Sequence, residues 1–309
     1  IAISNAISTM GAIVSVNLLK NNIGTKQAHN LATILKEHAT LVSLCGNKGD
    51  EAELDMSDNN MGADGVIMLM PEIIANRALT CLNISSNNIG KLVYPEEGWR
   101  VKEPGDAYHY YHSDGRMQNK DPGEPLVKGK PEGVITLADG INNCSALTSL
   151  DISNNKIGTL VEPDVLPDGW TMSNSVLYEN PAYRYQHTDG RQQIQPPGGK
   201  PEGVIALADA ISKNKVLTSL NISSNNLGQL VVPDGWEFQK GWMFASNWVH
   251  SDGRKQTEKP EEPLGVIALR HAVKKNGTIV SVNLHNNNIG TEEEKAFLTI
   301  LKHNARKQR

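Results

Sequence analysis

One phrase recurs along this chain and restricts its fold more than any other feature. LTSLDISNNKIG (Leu147–Gly158) returns as LTSLNISSNNLG (Leu217–Gly228), LTCLNISSNNIG (Leu79–Gly90), IVSVNLHNNNIG (Ile279–Gly290) and IVSVNLLKNNIG (Ile13–Gly24). A looser copy, ELDMSDNNMG, runs from Glu53 to Gly62. The shared pattern is LxxLxLxxNxIG, followed in most copies by GVIxLAxAI. Val16 and Leu44 lie 28 residues apart, as do Leu54 and Leu82. The next intervals, to Leu150, Leu220 and Val282, are 68, 70 and 62 residues. They amount to the same unit enlarged by three insertions of similar size. A fixed period of this length signals stacked supersecondary units.

Each unit contains two elements. In LxLxx, Leu150 and Ile152 fall on one side of a strand while Asp151 and Ser153 fall on the other. In VIALADAI, Val204, Ile205, Ala208 and Ile211 recur at helical spacing. Neither element buries its apolar side alone, so neighbouring units must stack. The pattern resembles the leucine-rich repeat family, in its ribonuclease-inhibitor-like class of strand-plus-helix units. The resemblance implies an α/β leucine-rich repeat solenoid with a curved parallel β-sheet on the concave face and α-helices on the convex face. Three inserted β-hairpins would sit on one edge. Six Asn residues form a column, Asn21, Asn59, Asn87, Asn155, Asn225 and Asn287. Their amides are expected to turn inward and bond backbone groups that the bending chain leaves unpaired.

Residues 1–309 read as a single solenoid and as a fragment of a longer array, since IAISNAIST aligns with Ile205–Lys213 inside a helix. The final stretch has acidic residues early and Lys302, Arg306, Lys307 and Arg309 late, which suits a closing helix and its dipole. One junction breaks the period: Leu44 and Leu54 are ten residues apart. It reads either as a unit lacking its helix or as a hairpin-like detour.

The insertions, Lys91–Glu132, Thr159–Glu202 and Gln229–Leu264, resemble one another and hold 14 of the chain's 15 aromatic residues. Each opens near a Trp (Trp99, Trp170, Trp236) and carries H-[ST]-D-G-R before a Pro-rich return. Asp-Gly between strand-like runs predicts type I′ hairpin turns at Asp114-Gly115, Asp189-Gly190 and Asp252-Gly253. The second insertion is faintly similar to a WW module, without that module's second Trp. A catalytic reading of His112, Asp114 and Arg116 is disfavoured, because the turn itself demands Asp and Gly and the trio occurs three times. Two readings of the rings remain open, a private core for each insertion or a partner-binding rim.

The outward strand columns are small and polar; one is Asn17, Asp55, Asn83, Asp151, Asn221, Asn283. Candidate partner-binding residues are Tyr110, Arg116, Tyr183, Arg191, Trp242, Trp248 and Arg254 in the insertions, with Asp151, Asn221 and Asn283 on the concave face. A formal charge of −4 argues against a phosphate-backbone partner. No apolar run reaches membrane-span length. Cys45, Cys81 and Cys144 form neither a disulfide framework nor a CxxC pair, which favours the cytoplasm. No P-loop, dinucleotide or HExxH motif is present, and no catalytic residue, cofactor or metal is expected. The expected function is a non-catalytic scaffold that binds a protein partner, in an oligomeric state the pattern does not specify. The alternatives are the sensor array of a larger receptor or, by family resemblance, a GTPase-activating regulator.

Overall fold

The computed structural model describes residues 2–95, 99–101, 110–112, 117–118, 128–161, 170–172, 185–187, 192–193, 198–231, 236–239, 247–256 and 262–308. The chain runs through α1 (Ala2–Thr9), α2 (Thr25–Glu37), β1 (Glu53–Asp55), α3 (Gly62–Ala75) and β2 (Cys81–Asn83). The first insertion supplies β3 (Trp99–Val101), β4 (Tyr110–His112) and β5 (Met117–Gln118). Then come α4 (Glu132–Asn143) and β6 (Ser149–Asp151), followed by β7 (Trp170–Met172), β8 (Tyr185–His187) and β9 (Gln192–Gln193) of the second insertion. α5 (Glu202–Lys213) and β10 (Ser219–Asn221) lead into β11 (Trp236–Gln239), β12 (Asn247–His250) and β13 (Lys255–Gln256). α6 (Leu264–Asn276), β14 (Ser281–Asn283) and α7 (Thr291–Lys307) complete the order.

Five strands, one per unit, make a parallel sheet in the order β1-β2-β6-β10-β14. Its register aligns Leu54, Leu82, Leu150, Leu220 and Val282, so the period read from the sequence is the period of the sheet. Each helix from α2 to α7 packs against its neighbour. Leu82, Leu150, Leu220, Leu137, Leu207 and Leu269 lie in one continuous core between sheet and helices. Full burial of a side chain this size contributes about 1.5–3 kcal/mol, and Phe297 is the ring found in that core.

Behind every strand the chain must turn sharply, and four buried Asn side chains hold the turns together. Asn155 Oδ1 accepts from Asn87 N (2.8 Å) and Ile89 N (3.3 Å) of the unit before. Its Nδ2 donates to Ile84 O of that unit and to Ile152 O and Ser153 O of its own. Asn87, Asn225 and Asn287 repeat this arrangement. Asn21 and Asn59 belong to the column but make fewer bonds, to carbonyls of their own turns. On either side of each ladder Asn the backbone is left-handed, as at Ser86 and Asn88 or Asn154 and Lys156. Asn tolerates that region better than most residues, which accounts for the runs of Asn in every copy. The closing Gly158 leaves no room for a Cβ, because the Asn226 carbonyl of the next unit presses against it.

The junction after Leu44 is a unit without its helix. Residues 43–45 bridge to the first repeat, Ser15 with Ser43 and Asn17 with Cys45, and no helix intervenes before β1. Glu72 of α3, only 4% exposed, fills the break. Its Oε1 accepts from Leu44 N (2.7 Å) and Cys45 N (3.0 Å), and its Oε2 from Ser43 Oγ and Asn47 Nδ2 (2.8 Å each). In the register of the other helices this position is Gly140, Ala210 or Ala272, the small residue set against the preceding unit. A long acidic side chain there reaches amides that a missing unit leaves open. Burial pushes the Glu72 carboxyl above its ordinary 4.5, while the four donors act in the opposite direction.

Two outcomes follow from this frame. Asn155→Ala removes two buried acceptor contacts and three donor contacts, and should lower the urea-unfolding free energy by about 3 kcal/mol or more; exposed Asn21→Ala should cost about 1 kcal/mol or less. Equal losses would mean that the column carries no inter-unit load. The raised Glu72 value means that the folded chain holds this proton more tightly than the unfolded one. Its contribution is therefore present below the ordinary carboxylate value and lost as pH rises through the folded one. Urea midpoints measured across that window should fall in wild type relative to Glu72→Gln; parallel curves would refute the assignment.

Candidate partner-binding site

The concave face is built from strand columns in strict register: Asp55, Asn83, Asp151, Asn221 and Asn283 are consecutive partners across the sheet. Each closes its own turn. Ser153 N donates to Asp151 Oδ1 (2.9 Å), Ser223 N to Asn221 Oδ1 (3.2 Å) and His285 N to Asn283 Oδ1 (3.1 Å). Asn221 Nδ2 also donates to Asp151 Oδ2 across the strands (2.7 Å). The Ser57 amide and hydroxyl hold the Asp55 carboxyl below the usual range. The three concave candidates are thus partly committed to the frame. Together they form a polar lattice with one repeat per strand.

The insertions leave and rejoin the solenoid through matching necks. Val93 N donates to Lys130 O and Lys130 N to Val93 O, both at 2.8 Å. Val161 pairs in the same two-way fashion with Lys200, and Val231 with Glu262. A neck closed on both strands lets residues be added beyond it without opening the next helix. Gly129 beside the first neck has no space for a Cβ, being set against Leu92 and Tyr94.

Past each neck lies a three-stranded antiparallel sheet, β3-β4-β5, β7-β8-β9 and β11-β12-β13, one strand more than a hairpin. The described turn, in the third sheet, differs from the type I′ expectation. Val249 pairs with Lys255, leaving an odd number of residues between the partners. A two-residue turn requires an even number. In the third sheet His250 N donates to Arg254 O and Gly253 N to His250 O (2.8 Å each), with Gly253 at φ 93 and Asp252 outside the positive-φ residues. The loop is therefore Ser251–Asp252–Gly253, a type I turn closed by a left-handed Gly. Asp-Gly suits both geometries, and only the register separates them.

In this third copy the His, Asp and Arg of the motif meet within the turn itself. Asp252 Oδ1 accepts from Arg254 N (3.1 Å) and lies 2.8 Å from His250 Nδ1; Oδ2 accepts from Arg254 Nε (2.8 Å). The Arg254 amide, with the His250 and Arg254 side chains, brings the Asp252 carboxyl down to about 2. The carboxylate is spent on its own loop, and Arg254 is drawn back onto the turn. Burial raises the Cys45 thiol strongly and the Cys144 thiol to about 11, so neither is a thiolate at neutral pH. Among the described residues no cluster of His, Cys, Asp and Glu could hold a metal ion. No helix among them is long and apolar enough to cross a membrane.

Of the insertion candidates, Tyr110 and Trp248 occupy strand positions and Arg254 the turn, whereas Arg116, Tyr183, Arg191 and Trp242 lie outside the described residues, as do Asp114, Gly115, Asp189 and Gly190. Tyr110 and Trp248 share their register with Tyr185, each being paired with a Gln. Tyr185 is 0% exposed. The sequence reading passed over Tyr185, and over the helix-end acceptors His38, Asn76, Asn214 and Asn276, which take the amides of the following turn. The signal for the three Asn was a polar residue eleven positions after the helix-entry Gly (Gly65, Gly203, Gly265).

Four segments, residues 53–70, 75–91, 143–159 and 213–229, match the family model described as Leucine Rich repeat. No curated protein matches the chain. Among solved structures it is similar to "Leiomodin-1 Actin-Binding Site 2 (ABS2)", at 10% identity and TM-score 0.40, over 92% of this chain and 89% of the other. It is also similar to the tropomodulin C-terminal domain of Caenorhabditis elegans, at 8% identity and TM-score 0.39, over 91% and 95%. The family match and the in-register strand-and-helix architecture together make the chain a leucine-rich-repeat solenoid.

Proposed function

We propose that the protein is a non-catalytic interaction scaffold, in which a rigid solenoid holds three small β-modules against a protein partner. The observation that carries this reading is the set of three matching necks, each closed by two backbone hydrogen bonds at 2.8–3.0 Å. A neck of this kind separates the demands of the frame from those of the module beyond it. The modules also hold nearly all of the chain's aromatic residues, the class that dominates protein interfaces. The concave lattice of Asp151, Asn221 and Asn283 contributes a flat polar surface with fixed spacing. The strand-plus-helix unit is that of the ribonuclease-inhibitor-like class.

Replacing residues 94–129 by a short Gly-Ser linker, with Val93 and Lys130 retained, tests the reading. The thermal midpoint should stay within about 4 °C of wild type, equivalent to about 1 kcal/mol or less. Recovery of the partner from native cell extract should drop by about tenfold or more. Undiminished recovery by a folded variant would count against the first module as a binding element.

A further inference from the structure

The modules leave the solenoid at one edge, between a strand's closing Gly and the next helix. The opposite edge is made of the short links from helix to strand, residues 76–80, 144–148, 214–218 and 277–280. Its charge changes along the array. Two equivalent positions in the last turn of each helix hold Ile74 and Ala75 in α3, then Asn142 and Asn143 in α4. They become Ser212 and Lys213 in α5 and Lys274 and Lys275 in α6. α7, packed against α6, adds Lys302, Arg306 and Lys307. Side-chain bonds hold these last two helix ends together. Asn304 Nδ2 donates to Val273 O (3.3 Å) and Gln308 Nε2 to Thr278 O (2.6 Å). Lys274, Lys275, Lys302, Arg306 and Lys307 are all exposed.

The repeat does not require this charge, since α3 and α4 close without it. The helix dipole does not account for it either. Each helix C-terminus carries about half a negative charge, so two ends offset about one of the five cations. Nearby carboxylates are also too few. From Leu264 to Arg309 eight Lys and Arg stand against three Glu, and all three, Glu292–Glu294, lie in the first turn of α7. Two of them have partners there, Glu292 with Lys295 (2.8 Å) and Glu293 with Arg270 (3.4 Å). Glu294 is about 12 Å along the helix from Lys302, beyond the screening length of about 8 Å at physiological salt. The first 263 residues have the opposite sign, with 22 Lys and Arg against 31 Asp and Glu.

We propose that this basic corner, formed by the last turns of α6 and α7, docks a short acidic segment of a polypeptide. It is a second interaction surface, on the edge away from the modules. Packed helices lie about 10 Å apart, and Lys302–Lys307 spans about 8 Å, an area matched by about four extended residues. Arg306 can hold a carboxylate through two parallel hydrogen bonds, with the lysines as point charges around it. The small size of the corner selects the occupant. A nucleic acid or a bilayer would extend past it and meet the acidic remainder of the chain. Single-stranded nucleic acid also needs rings for base stacking, and Phe297 of α7 is buried. A bilayer needs a broad apolar face, and Leu298 is the one large apolar residue exposed on α6 or α7.

Fluorescence anisotropy on the full chain tests this, with labelled octapeptides whose central four residues are Glu, Lys or Ser. A single-stranded DNA 20-mer and phosphatidylserine-containing vesicles stand for the other polyanions. Wild type is compared with Lys274→Glu/Lys275→Glu, with Lys302→Glu/Arg306→Glu and with the control Lys36→Glu/Lys156→Glu, whose exposed cations lie elsewhere. Melting curves check folding, and the corresponding Gln pairs replace any Glu pair that melts early. Wild type should bind the Glu peptide about tenfold more tightly than the Lys or Ser peptide, and high salt should abolish the difference. Each corner variant should weaken Glu-peptide binding about tenfold, and the control less than about twofold. Replacement of residues 94–129 by a linker should leave it unchanged, so this result stands or falls apart from the module reading. No preference for the Glu peptide, or a preference that survives both corner variants, overturns the proposal. Tighter binding of DNA or vesicles than of the Glu peptide, or salt-sensitive dimers of wild type that the corner variants abolish, also overturns it by naming another occupant.

Discussion

Everything in this molecule depends on how one unit's backbone is satisfied by the next unit's side chain. A strand that turns into a helix in each unit leaves amides and carbonyls at the bend with no regular partner, and burial makes each one costly. The carboxamide of Asn meets that need with one oxygen for two amides and one nitrogen for carbonyls on both sides of the unit boundary. Asn155 and Asn225, both 0% exposed, show the arrangement in full. Because these bonds run between units, they lock neighbouring strands in register and bring Leu82, Leu150 and Leu220 into line. The concave columns inherit that register from the turns beneath them.

The solenoid departs from its period in two ways, and each departure has its own remedy. Where a helix is lost after Leu44, the carboxylate of Glu72 takes the place of the missing acceptors. Where residues are gained, two backbone hydrogen bonds close the gap before the next helix begins. Loss is the costlier departure, because it leaves buried donors that a long side chain from the neighbouring helix must reach. Gain is tolerated, since a closed loop grows in entropic cost only slowly with length. That asymmetry accounts for a chain with one deleted helix and three insertions.

The fold was largely legible in the sequence, because its controlling quantity is a period. Leu54, Leu82, Leu150, Leu220 and Val282 were separable by counting, and they are neighbours across the sheet. Glu72 was not found in this way: its meaning emerges only when α3 is set against α4, α5 and α6, where Gly140, Ala210 and Ala272 stand at the same level. The turns were partly legible. Asp252-Gly253 marks a reversal, but a two-residue and a three-residue loop share that dipeptide, and the strand register chooses between them. The ring-bearing candidates were the least legible, since composition does not reveal which face of a small sheet a Tyr occupies. Tyr185 is buried, a placement that its residue type does not reveal.

The central claim is that the frame and the modules are mechanically separate, with the Asn ladder carrying the frame. Amide hydrogen exchange on the full chain tests it most directly. The amides of Asn87, Ile89, Asn155 and Ile157, which donate to ladder oxygens, should exchange only through global unfolding. Their protection should be unchanged when residues 94–129 are replaced by a linker within the neck. Selective loss of protection at Asn87 and Ile89 in that variant would show that the module holds up the frame, and would contradict the account.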